Sequence, residues 1–149
     1  MGKARQVAAL PVRIEEDGAL RVLLVTSRET RRYVIPKGWP WPGLKEHKAA
    51  AKEAREEAGI VGRMRKKSIG AYSYVKRRSE GDLSVRVRVF LLAVEELLES
   101  WPEQTERSRR WFTLTQAAAA VDEPELADII RQLEKLQSGS DRAPKVVGK

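Results

Sequence analysis

The stretch that decides the fold runs Gly38-Trp39-Pro40-Trp41-Pro42-Gly43-Leu44-Lys45-Glu46-His47-Lys48-Ala49-Ala50-Ala51-Lys52-Glu53-Ala54-Arg55-Glu56-Glu57-Ala58-Gly59-Ile60. Its two halves obey different rules. Prolines at 40 and 42 remove amide donors, so Lys37 to Gly43 reads as a rigid loop that is neither helix nor central strand. Leu44 to Ala58 is rich in Ala, Lys and Glu, and Gly59 supplies a C-cap; this predicts a helix. Glu53, Glu56 and Glu57 stand at i, i+3 and i+4 on that helix and so share one face. Three like charges there cost about a few tenths of a kcal/mol per pair. They also lie toward the C-terminal end, where the helix dipole disfavours them. A bound cation offsets both costs. Hard ions such as Mg²⁺ or Mn²⁺ suit carboxylate oxygens. The competing reading is a solvated face on which Lys45, Lys48 and Lys52 pair with these glutamates.

Outward from the helix the pattern is mostly strand. Val7 to Ile14 and Leu20 to Thr26 flank the turn signal Glu15-Glu16-Asp17-Gly18 and predict a hairpin. Tyr33-Val34-Ile35 is a short strand stopped by Pro36. Met64 to Val75 and Ser84 to Val94 read as strands separated by a charged turn, Lys76 to Asp82. In the second, Val85, Val87 and Val89 alternate with Arg86 and Arg88, which gives one buried and one basic face. Trp111 to Leu114 is another short strand. Thr115 is placed to cap a helix over 116–121, and Glu123 or Pro124 to start a last helix ending near Leu136. Strands with two or three interspersed helices indicate an α/β or α+β sandwich. The expected folded domain is 3–137. Residues 138–149 are small, polar and basic and read as a flexible tail.

The chain has 149 residues and a mass of 16.8 kDa, enough for one domain. It has no cysteine, which excludes disulfides, cysteine zinc sites and thiol nucleophiles, and its one histidine, His47, argues against a multi-histidine metal site. His47 reads as a surface residue of the first helical turn. Lys and Arg total 29 against 21 Asp and Glu, a net charge of +8. Such a surface attracts polyanions. No apolar run is long enough to cross a bilayer, and the N-terminal residues lead into a strand without a signal-peptide core. A cytoplasmic protein with no membrane association and no stable protein partner is expected.

Gly38 through Ile60 resembles the Nudix box, G-x5-E-x7-R-E-U-x-E-E-x-G-U with U aliphatic. Gly38, Glu53, Glu56, Glu57, Gly59 and Ile60 match at the right spacing, and Ala54 takes the U position. Val34-Ile35-Pro36-Lys37-Gly38 is similar to the family's usual approach to the box. Leu44 stands where the first glutamate would be, and Lys52 replaces the arginine; in the family these two mainly organise the loop and helix. The resemblance implies an α/β/α sandwich with a mixed central sheet. It also implies a Mg²⁺-dependent pyrophosphohydrolase (Mn²⁺ as the alternative) with Glu53, Glu56 and Glu57 as catalytic and metal-binding residues. Glu46, seven residues before Glu53, is read as an exposed first-turn residue, with an outer metal carboxylate as the alternative. Leu23 to Ser27, Val89 to Trp101 and Arg109-Arg110-Trp111-Phe112 resemble the diphosphoinositol and diadenosine polyphosphate branch, although Trp39-Pro40-Trp41-Pro42 stands where that branch has a glycine-rich loop.

The family cleaves a nucleoside diphosphate linked to a second group by attack of water on phosphorus. The resemblance places Arg86 and Arg88 beside the metal helix, Arg109 at a phosphate-binding position, and Arg5 or Lys3 at the start of the first strand. Lys37, Gly38 and Trp39 complete the expected substrate-binding set. Trp39, Trp41 and Tyr33 either stack on a base or cover the sheet edge. Arg63, Arg65, Lys66 and Lys67 read as a solvated strand edge. The expected substrate is a small polyphosphorylated molecule: a nucleoside diphosphate derivative, a dinucleoside polyphosphate or an inositol pyrophosphate. Two alternatives stand beside it: the 5′ end of RNA as substrate, and a non-catalytic nucleotide sensor with a degenerate box.

Overall fold

The computed structural model describes residues 4–138. The elements in chain order are β1 (Ala4–Ile14), β2 (Leu20–Thr26), β3 (Tyr33–Val34), β4 (Lys37–Gly38), α1 (Glu46–Ala58), β5 (Ile60–Met64), β6 (Gly70–Lys76), β7 (Leu83–Leu97), β8 (Arg109–Thr113), α2 (Leu114–Ala120) and α3 (Pro124–Ser138). The eight described strands form one sheet with β3-β2-β1-β7-β5 as its main path. β4 joins on β1, β6 on β7 and β8 on β2. The β1–β7 pairing is parallel and the others are antiparallel, so the sheet is mixed.

The period-2 patterns sort the core into two layers. Ala8, Leu10, Val12, Val22, Leu24, Val85, Val87, Val89 and Leu91 pack with Ala117, Leu126, Ile130 and Leu133 of α2 and α3. Val7, Ala9, Leu23, Val25, Phe90 and Leu92 pack with Ala49, Ala50, Ala54 and Ala58 of α1. The sheet therefore lies between α1 on one face and α2 with α3 on the other, an α/β/α sandwich. Alanines on the buried stripe of α1 let its axis approach the sheet closely. By strand parity Arg5, Arg86 and Arg88 continue the rows of Val7 and Phe90 on the α1 side.

One divergence creates the opening in which the site forms. β1 pairs with β2 only from Val12 to Ile14, next to the hairpin turn. Earlier in β1 the neighbour is β4, with Val7 opposite Gly38 and Ala8 opposite Lys37, and the Ala9 amide donates to Pro36 O at 3.0 Å. Lys37 and Gly38, expected in a rigid loop that is neither helix nor central strand, thus form a two-residue strand paired on one side only, to β1. Prolines at 40 and 42 bar pairing only at their own positions, and β1 has unpaired groups exposed where β2 has left it.

Three other boundaries differ from expectation. Met64 to Val75 is not one strand: Arg65 N donates to Leu91 O and Ile69 N to Val89 O, so four chain steps span two on β7 and Lys66-Lys67-Ser68 bulges out. The Ser68 hydroxyl bonds both backbone groups of Gly70 and fixes the bend. α1 begins at Glu46 rather than Leu44, which is an exposed turn residue. The cap of α2 is Thr113, not Thr115: its side chain accepts from Gln116 N, and the Gln116 side chain returns to the Thr113 amide. The expected tail lies outside the described residues from 139 onward, as does Lys3. Among the described residues no helix is long and apolar enough to cross a membrane.

Candidate active site

The C-terminal half of α1 faces β4. Gly38 lies so close to the Glu53 carboxylate that a Cβ at this position would overlap it. Only glycine leaves that carboxylate its place. One residue earlier, the Lys37 amide donates to Glu57 Oε1 at 3.3 Å. The glycine of the loop and the glutamates of the helix, fifteen or more residues apart, thus form one unit.

Glu57 is 8% exposed. Its carboxyl is pushed up to about 7, first by burial and then by Glu53 and Glu103, against the pull of Arg107 and Lys37. Glu53 is pushed up by burial, by Glu56 and by Glu103. Glu56 turns outward to Lys52 Nζ at 3.1 Å and is half-exposed. Glu53 and Glu57 therefore converge, while Glu56 stands one rotation away. Among the described residues no three acidic or histidine side chains are gathered tightly enough to enclose an ion in these rotamers. The donor set still fits a hard divalent cation. It offers carboxylate oxygens only, and two of its members are held against each other in a setting that disfavours their charge. An exposed i,i+4 pair such as Lys52–Glu56 is worth only about 0.3–0.5 kcal/mol, so Glu56 is cheaply released.

Two residues enter the site that no local sequence pattern selects. Arg107 donates from Nε to Glu103 Oε1 at 2.6 Å and from Nη1 to Thr26 O at 3.2 Å, and its Nη2 lies 3.6 Å from Glu57 Oε2. Glu103 follows it into the cluster. Their segment lacks helical or strand periodicity, so only the folded chain brings them to α1. Lys37 stands over the Tyr74 ring at 5.0 Å, and Tyr74 donates to Gln6 Oε1 at 2.8 Å. Burial lowers the Lys37 ammonium, Glu57 and Glu123 raise it, and Arg32 and Arg107 lower it further. Arg107 and Lys37 thus stand beside the carboxylate pair, and burial works against the Lys37 charge.

The other candidates are scattered. Arg109 does not face the cleft. Its Nη1 donates to Ala58 O at 2.8 Å and its Nη2 to Leu98 O at 2.7 Å, while the guanidinium stacks on Trp101 at 4.0 Å. It neutralises the C-terminal end of α1, where orphan carbonyls collect. Arg86 donates to Ser73 Oγ at 2.9 Å and pairs with Glu125 at 3.3 Å at the sheet edge. Arg88 and Arg5 both hold Glu46, at 3.0 and 2.5 Å. Glu46 is accordingly a clamped carboxylate rather than a free first-turn residue. Trp39 and Trp41 are exposed, with Lys52 Nζ 4.8 Å from the Trp41 ring. Tyr33 packs edge-on against Phe112 at 4.9 Å, which is a core contact. His47 lies 6.5 Å from Phe90.

The fold and site define a small three-layer α/β protein with a glutamate pair set against a glycine at a loop–helix junction. The profile of the NUDIX domain family matches residues 4–133, and the chain belongs to that family. It is 31% identical over 142 residues to diphosphoinositol polyphosphate phosphohydrolase 3-alpha of Mus musculus, covering 93% of this chain and 80% of that one. It is 33% identical over 110 residues to Nudix hydrolase 13, mitochondrial, of Arabidopsis thaliana, covering 70% of this chain and 54% of the relative. The chain thus spans about half the length of that plant protein. Among solved structures, a C. elegans Ap4A hydrolase superposes with a TM-score of 0.67 at 19% identity, over 92% of this chain and all of the other, which shows the shared fold.

Proposed function

We propose that this domain, residues 3–137, is a divalent-metal-dependent pyrophosphohydrolase. Its substrates would be small polyphosphorylated molecules: nucleoside diphosphate derivatives, dinucleoside polyphosphates or inositol pyrophosphates. The observation that carries the reading is the convergence of Glu53 and Glu57 on the Lys37–Gly38 backbone, opposite Arg107 and Lys37. Family membership and the phosphohydrolase and Ap4A hydrolase names among its relatives support it.

Glu53 and Glu57 would hold the ion, Mg²⁺ or Mn²⁺, and Glu56 would join them after leaving Lys52. The bound ion would neutralise phosphate oxygens and make a water more acidic. Glu56, once free of Lys52, would be shared between holding the ion and taking the proton from that water. The Lys37 amide fixes the Glu57 carboxylate. Arg107, held by Glu103 and Thr26 O beside Glu57, would offset the charge of the carboxylates and of the substrate phosphates near them, with Lys37 next to it. Arg5 and Arg88 stand further along the same face, paired for now with Glu46. Trp39, exposed beside Gly38, offers a flat apolar surface to a base.

The test is product release from a panel of nucleoside triphosphates, dinucleoside polyphosphates, inositol pyrophosphates and triphosphorylated RNA, with Mg²⁺, with Mn²⁺ and with chelator. Metal-dependent cleavage of the small anhydrides is expected. No metal-dependent product from any of them would leave a sensor rather than an enzyme. Cleavage confined to RNA would move the substrate to the 5′ end of a transcript.

A further inference from the structure

A cavity of about 1000 Å³ opens on the α1 face of the sheet, away from Glu53 and Glu57. Its walls come from the first turn of α1 (Lys45, Glu46, His47, Lys48), from the bulge between β5 and β6 (Lys66, Lys67, Ser68) and from Arg88 and Phe90 of β7. Five of these side chains are cationic. The one carboxylate, Glu46, is already held by Arg5 and Arg88. Among the described residues Lys45, Lys48, Lys66 and Lys67 have no acidic partner within ion-pair distance. The His47 imidazolium is disfavoured first by burial and then by Lys48, Lys66 and Lys45. A concave surface lined by one sign of charge focuses the field into the cavity. The volume is that of a small-molecule pocket.

The bulge is what makes this a cavity. Two extra residues between the bonds to Leu91 O and Val89 O throw Lys66 and Lys67 outward beside the start of α1. Read along the sequence, these lysines look like a solvated edge; in the fold they face Lys45 and Lys48 across a space. Along the sheet the cavity lies near the acidic cleft, with the buried Val7 and Ala50 between them. Gly38, Val7 and Arg88 lie in one row across β4, β1 and β7. Arg88 is thus two strand spacings, about 10 Å, from the glycine that touches Glu53.

We infer that the lysine cavity is a second phosphate-binding subsite, which holds the far phosphate groups of a substrate whose reacting anhydride lies at Glu53 and Glu57. The inference rests on the function proposed above for its link to the cleft, and on the cavity alone for its chemistry. Glu46 acts as the resident anion that keeps Arg5 and Arg88 poised at the boundary between the two regions.

Binding and turnover test it separately. Inositol hexakisphosphate carries many phosphates and no anhydride, so it reports binding without reaction. In chelator, calorimetric titration of the wild-type protein should give saturable binding. Lys66→Ala/Lys67→Ala should weaken it about tenfold to a hundredfold, the loss expected for contacts to charged groups. Both lysines are exposed loop residues, so the fold should survive. Lys135→Ala, on α3 across the sheet, controls for bulk charge and should bind as wild type. Equal binding by the double variant, or an equal loss in Lys135→Ala, overturns the subsite. With Mg²⁺, kcat/KM of the double variant should fall tenfold or more for long-chain inorganic polyphosphate and by less for ATP. Equal losses on the two overturn the link to the cleft, leaving a site for a free phosphate anion. If the wild type cleaves neither, the hydrolase reading falls, and the titration alone decides the cavity.

Discussion

A carboxylate that is 8% exposed and beside other carboxylates keeps its proton to about pH 7, and this is the state of Glu57. The groups facing it are Arg107 and Lys37, which favour its charge, and Glu53 and Glu103, which oppose it. Its folded pKa lies above the unfolded value of 4.5, so between about pH 4.5 and 7 the folded state binds more protons. Stability of the metal-free protein should therefore fall as pH rises through that window, by up to about 3 kcal/mol from this group. Urea midpoints in chelator from about pH 5 to 8 should show the slope, and Glu57→Gln should flatten it; a slope unchanged in that variant would mean that Glu57 does not titrate there. In turnover, Glu56→Gln and Glu57→Gln should each lower kcat roughly 10²-fold with the fold intact. Full activity in both would remove these carboxylates from the reaction. Arg109 is expected to behave differently, because it serves three backbone carbonyls. Arg109→Ala should cost about 2 kcal/mol or more of stability. A KM defect that grows with the number of substrate phosphates, without loss of stability, would return Arg109 to the substrate.

At the scale of elements, α1 works because both of its ends are specified. Gly59 terminates it in the left-handed region, with φ 66°. A Cβ there would stand 2.8 Å from the Trp101 ring and 2.9 Å from Arg109 Nη1. Gly59→Ala should therefore destabilise by more than the roughly 1 kcal/mol of backbone strain alone, read as a lower urea midpoint. If the loss is smaller, Trp101 and Arg109 yield more easily than their contacts suggest. Trp101 also donates to Glu57 O at 3.0 Å, so the helix end, its arginine and its tryptophan form one cap. The helix itself and its glutamate face were legible in sequence, because alanine content, charge spacing and a terminal glycine are local properties. β4 was not legible. Its two residues pair only because β2 leaves β1, and no local pattern encodes that departure. The break between β5 and β6 was equally hidden, since Met64 to Val75 has strand-forming residues on both sides and the two-residue excess is counted only against β7.

For the molecule as a whole, the carboxylate cluster is a site of stored electrostatic cost, and a ligand that relieves it should stabilise the fold. Mg²⁺ or Mn²⁺ at a hundredfold excess over its Kd should add about 2.7 kcal/mol, seen as a rise in Tm. The rise should vanish in Glu53→Gln/Glu57→Gln; if it persists, the ion binds elsewhere. Sequence by itself determined the sandwich class, the loop–helix junction, the helix with its acidic face and the basic face of β7. Each of these follows from residues near one another in the chain, where period, capping and like-charge spacing act. Tertiary structure decided which charges meet. It drew Glu53 and Glu57 onto Gly38 and Lys37, turned Glu56 to Lys52, sent Arg109 to the helix end and brought Arg107 with Glu103 to the glutamates. It also set Lys66 and Lys67 across from Lys45 and Lys48. Coulomb and desolvation energies depend on distance through space and on burial, and neither is fixed until the sheet has closed between its helices.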